Sequence, residues 1–180
     1  AGQEIAVGLI GNLVYTPTAN ESGTGYASFT FQVKDNGGTA NGGVDTDQSP
    51  NTITIDVTPI NDGAAGTDKT ITLDEDSTYN FAAADFGFTD PNDVPPNVLY
   101  SVIVTTLPTT GVLSLSGTPV TAGQEILATD ISNLTYTPAA NGNGLSYSGF
   151  TFQVKDDGGT ANGGQDTDQT PNTITFNVTP

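Results

Sequence analysis

Apolar residues in this chain fall on alternate positions in short runs, and turn residues separate the runs. Phe150, Phe152 and Val154 alternate with Thr151, Gln153 and Lys155. Ile174, Phe176 and Val178 alternate with Thr175, Asn177 and Thr179. Side chains return to the same face every two residues in a strand and every 3.6 in a helix, so this pattern predicts half-buried β-strands. No segment has a helical period. The pattern predicts strands over 69–73, 78–83, 98–105, 134–137, 150–155 and 172–178. It also predicts a hairpin of 112–115 with 119–121 around Ser116-Gly117-Thr118. Ile71, Leu73, Tyr79, Phe81, Val102 and Val104 are expected to face inward, with Phe86 and Phe88 plugging one end of the core. Pro108, Pro119, Pro138 and Pro171 sit at predicted strand ends, where a missing N–H does least harm.

Short strands of this kind with frequent turn signals fit an all-β fold: an immunoglobulin-like, Greek-key β-sandwich of two sheets. The chain holds more than one copy of part of it. Residues 1–59 align without a gap on residues 122–180, at an offset of 121, and 41 of the 59 pairs are identical. AGQEI, FQVKD, GGTANGG and NTIT all recur. A period of that length is too long for a solenoid coil and about right for a whole domain. The expected organisation is tandem repeats of about 121 residues: one complete repeat over 59–180, preceded over 1–58 by the last three strands of another. Half a sandwich leaves an apolar face and unpaired edges. Its missing strands are expected either from residues ahead of Ala1 or from another copy, and strand complementation between copies would build filaments.

Charge narrows the function. Twenty acidic residues against three lysines give a net charge of −17, and Arg, His, Cys, Met and Trp are absent. Such a chain has no basic stripe to neutralise phosphates, so nucleic acid and anionic membranes are excluded as partners. It has no apolar run near 18 residues, so no membrane insertion is expected. Without cysteine, a secreted domain has only its core and bound metal as staples.

The acids gather in loops. Strands that alternate in direction sort the loops to two ends of a sandwich. One end should collect Asn61 and Asp62 from the incoming linker and Asp90, Asn92 and Asp93 from TDPND. It should also collect Asp156 and Asp157 from KDDGG, with Asp166 and Asp168 from QDTDQ. The opposite end should collect Asp74, Glu75 and Asp76. Asp35, Asp45 and Asp47 are the matching loop acids of the first copy. Alternating Asp-x-Asp/Asn spacing suits Ca²⁺, which takes six to eight oxygens. Gly158-Gly159 and Gly163-Gly164 would let a loop wrap tightly around an ion. For any single Asp, ordinary turn chemistry explains its place equally well.

LDEDS, FTDPND, VKDDGG and VTPIND together resemble the Ca²⁺ motifs of the cadherin fold. Glu75-Asp76 stands where the Glu-Asn pair falls, Asp90-Pro91-Asn92 stands for D-x-D, and Asn61-Asp62 stands for the core of the linker. The whole unit is similar to the cadherin-like tandem repeats of giant secreted or surface bacterial adhesins, through VTPINDG, TLDEDSTYNF, AADFGFTDPND, LTYTPAAN and FTFQVKDDGGTANGG. Pro59 and Gly63 depart from the first and last positions of the linker motif, and no D-R-E equivalent is present. The resemblance implies an extracellular, cell-surface protein that uses Ca²⁺ at junctions between neighbouring repeats of one chain, for adhesion or biofilm matrix.

Enzymatic activity is not expected, because exposed acids on Gly-rich loops have no His, Cys or Arg to assist them. The alternative is a Ca²⁺-dependent carbohydrate-binding module. Tyr26 and Tyr147 are expected in the same loop of the two copies; they would stack on a glycan or anchor that loop. An isopeptide cross-link through Lys34 or Lys155 is a further way to staple a cysteine-free fibre.

Overall fold

The computed structural model describes residues 2–180. The chain divides into two compact units, the first ending at Pro59 and the second spanning Ile60–Pro180. Strands make up most of the regular structure in both. Among the described residues no helix is long and apolar enough to cross a membrane.

The first unit is a hairpin of β1 (Gly23–Phe31) and β2 (Asn51–Val57), with short 3-10 turns at Val7–Asn12 and Ala40–Gly42. Among its described residues none is buried. Residues 13–16 match a strand of the second unit in sequence, but they form none here. A strand exists only with partners for its backbone N–H and C=O groups, and the segments that would pair with it have no counterpart in this unit.

The second unit has two sheets. One orders β3 (Lys69–Asp74), β11 (Asn172–Thr179), β10 (Gly144–Asp156), β5 (Leu99–Val104) and β8 (Glu125–Leu127). The other orders β4 (Tyr79–Asn80), β9 (Leu134–Thr137), β6 (Val112–Leu115) and β7 (Thr118–Pro119). Every pairing is antiparallel except β3 with β11. The inner faces meet in one core. Phe150, Phe152 and Val154 from β10 and Ile174, Phe176 and Val178 from β11 are all buried, as the alternation predicts. Leu113, Leu134 and Tyr136 oppose them from the second sheet. Tyr136 stacks on Phe176 across the gap, with ring centroids 3.7 Å apart. Each such side chain contributes about 1.5–3 kcal/mol through the apolar surface it removes from water.

Three expectations need correction. The strand predicted over 78–83 pairs only at Tyr79–Asn80, against β9. The chain then turns through a 3-10 segment, Ala83–Phe86. The Asp85 carboxylate fixes this turn by accepting the Ala82 N–H at 2.8 Å and the Lys69 ammonium at 2.7 Å. Phe81 and Phe86 still reach the core. Second, β10 starts at Gly144 rather than 150, which puts Tyr147 on a strand and not in a loop. Tyr26 likewise lies within β1. Third, β8 and the 3-10 turn Ala128–Asn133 stand where the alternation predicts no element. A three-residue edge strand is too short to carry a readable alternation.

The hairpins of the two units share one register. Gly23 pairs with Val57 and Ala27 with Ile55, and at the offset of 121 Gly144 pairs with Val178 and Ser148 with Phe176. Each hairpin has its bulge at the matching place.

Candidate functional site

The linker, the loop between β4 and β5, and the loop between β10 and β11 meet at one end of the second unit. Asn61 is the clasp. Its side-chain amide donates to Asp156 Oδ1 at 3.0 Å and to the Gln165 carbonyl at 2.5 Å, and its Oδ1 accepts from the Asn97 amide. Gly158 lies directly beneath it: a Cβ there would collide with the Asn61 and Asn97 side chains. This glycine therefore serves a close approach by Asn61, a role different from the loop-wrapping expected of it. Asp156 is buried and accepts also from the Gly158 N–H at 2.9 Å and the Ala64 N–H at 3.3 Å.

Asp62 and Asp93 touch beside this clasp, and Asp90 and Asp156 lie near enough to Asp93 for their charges to act on it. The Asp62 N–H donates to Asp93 Oδ2 at 3.0 Å. Burial pushes the Asp93 carboxyl above its ordinary range; the Asp62 N–H opposes that shift, and the charges of Asp90, Asp62 and Asp156 add to it. Asp90 is 6% exposed. Its Oδ2 accepts the Asn97 N–H at 2.5 Å, while its Oδ1 is buried without a hydrogen-bond partner. Buried polar atoms are nearly always partnered, so such an acceptor calls for an explanation.

The other acids predicted for this end are occupied elsewhere. Asp157 accepts the Val98 N–H at 2.9 Å. Asp168 ties the linker to the loop by accepting the Gly66 N–H at 2.9 Å and the Asn172 amide at 2.7 Å. Asp166 turns toward Lys155, at 3.7 Å, and Asn92 is exposed. Asp74, Glu75 and Asp76 lie at the opposite end, beside the end of β11, as expected. Thr179 donates to Asp74 at 2.6 Å, and the Glu75 and Asp76 carboxylates accept from Asn143 and Asn141. In the first unit Asp35 accepts the Gly37 N–H, Asp45 faces Lys34 and Thr46, and Asp47 accepts from Ser49 and Asn51. Among the described residues, no three carboxylates already converge as a formed metal cage. Sequence reading missed Asn97, which holds both Asp90 and Asn61. Its only signal is a lone Asn wedged between Pro96 and the start of a strand.

Tyr147 is half-buried against the core, and Tyr26 bonds to Glu21. Lys155 lies 3.6 Å from Glu125 as well as near Asp166, and Lys34 lies 3.6 Å from Glu4. No family model, curated protein or solved structure matches this chain.

Proposed function

We propose that the chain is part of an extracellular structural and adhesive array, in which cadherin-like repeats form a calcium-stiffened stalk or filament of a large bacterial surface protein. The observation that carries this reading is the unpartnered, buried Oδ1 of Asp90, an acid whose charge acts on Asp93 together with those of Asp62 and Asp156. A carboxylate oxygen that no N–H or O–H reaches suits a hard cation. Asp62, Asp90 and Asp93 would hold it, with amide oxygens and water completing six to eight ligands. The bound ion supplies positive charge that offsets carboxylate repulsion. Asp74, Glu75 and Asp76, at the far end, would face the corresponding cluster of the next repeat. Sites of this extracellular kind bind at roughly 10⁻⁴–10⁻³ M, so junctions would be slack in the cytosol and stiff outside.

Calorimetry on the chain stripped with EDTA and then given millimolar Ca²⁺ tests the reading. The melting temperature rises in the parent and stays flat in Asp90→Asn, which removes the charge but little volume. In scattering, a chain of several repeats lengthens when calcium is added. Unchanged melting and an unchanged maximum dimension would overturn the proposal.

A further inference from the structure

The two hairpins carry nearly the same residues in opposite states. Phe31 is 37% exposed and its counterpart Phe152 0%; Tyr15 is 45% exposed and Tyr136 0%; Val33 is 61% exposed and Val154 0%. The second unit shows what makes the difference. Phe152 packs edge-on against Phe86 at 4.9 Å and Phe150 against Phe81 at 5.8 Å. Val154 pairs with Val102 and Phe152 with Val104, across the β10–β5 ladder. On the other edge, β3 pairs with β11. Every one of these covering residues lies between 60 and 121. In the first unit β1 pairs only with β2, so both outer edges of the hairpin are open.

A hollow marks where a third piece belongs. In the first unit it is lined by Val33, Asp35, Val44, Asp45, Thr46 and Asp47. At the matching place of the second unit, linker residues 61–66 are laid down. There Asn61 donates to Asp156 and the Gln165 carbonyl, and the Gly66 N–H donates to Asp168. Asp35 and Asp47 match Asp156 and Asp168, and they keep their local bonds to Gly37 and Asn51 without any donor of that linker kind.

We infer that the β1–β2 face is a docking surface for a half-repeat of the Ile60–Thr121 pattern. That segment lays an antiparallel strand on β1, a parallel strand on β2, two aromatic rings over Phe29 and Phe31, and an Asn-bearing linker into the hollow. A second copy of this chain does not meet the need. Each copy carries two such hairpins and one such half-repeat, so exchange between copies covers one face only by uncovering another. Joining such a segment directly to Ala1 keeps the register, since Thr121-Ala122 of the second unit then reads as Thr121-Ala1. The inference shares the repeat reading with the proposed function and does not depend on the cation.

The experiment compares the 180-residue chain with the same chain carrying a copy of residues 60–121 fused ahead of Ala1, both in EDTA. Amide exchange is read at β1 and at β10, together with binding of an apolar dye. In the fused chain, β1 amides slow to the range of β10 and dye fluorescence falls several-fold. Phe86→Asp in the fused copy alone restores fast exchange at β1 and leaves β10 protected. Three results overturn the inference: β1 exchange unchanged by fusion, protection of only one hairpin, or a concentration-dependent dimer of the unfused chain that already protects β1. Calcium addition afterwards tests the cation separately, since the fused repeat forms in chelator whether or not it binds metal.

Discussion

Asp93 shows how one carboxyl reports on its neighbours. Burial and the charges of Asp90, Asp62 and Asp156 favour its protonated form in the folded chain. The folded state therefore holds this proton more tightly than the unfolded state, and the destabilisation is full above the raised value. It declines as pH falls through that value toward the ordinary 3.8, and is gone below both. In EDTA, denaturant titrations of the parent and Asp93→Asn should converge on acidification through this window, with the parent gaining relative to the variant. Under the proposed calcium binding the trend should reverse, because protonation of Asp93 would then expel the ion. Gly158 offers a second test. In Gly158→Ala the new methyl displaces Asn61 from Asp156 and the Gln165 carbonyl. Loss of partners at a buried carboxylate costs about 1–3 kcal/mol, read as a lower denaturation midpoint with an unchanged slope.

Elements formed where sequence pattern and available partners agreed. β10 and β11 were legible because three apolar residues alternate on each, and both edges of their hairpin are paired, by β5 and β3. The segment over 78–83 looked like a strand because Tyr79 and Phe81 alternate, yet Asp85 captures the Ala82 N–H and bends the chain. That competition between a side-chain acceptor and a ladder is invisible to periodicity. Loop acids were legible as a group at two ends of the unit. Their individual partners were not, because Asp157, Asp166 and Asp168 are each claimed by a backbone N–H or a cation that only the fold brings near. The bent segment still matters to the core: Phe86 is fully buried between Phe81 and Phe152. Phe86→Ala should cost about 3–5 kcal/mol, measured by urea unfolding of the full chain and detached from any calcium effect.

At the scale of the molecule, 20 carboxylates against three lysines leave charge repulsion that the second unit confines to its loops and ends. Its sheets then pack as neutral layers. The single parallel ladder, β3 along β11, has a mechanical consequence. β3 follows the start of the unit and β11 closes it, and six residue pairs join them, from Lys69–Ile174 to Asp74–Thr179. Tension applied at the two ends drags these strands past one another lengthwise, so the bonds between them are loaded together in shear and do not open one by one like a zipper. Single-molecule pulling should record one abrupt rupture for the unit, and Thr72→Pro on β3 should lower the rupture force. A fibre made of such units would resist flow through the way its first and last strands lie side by side.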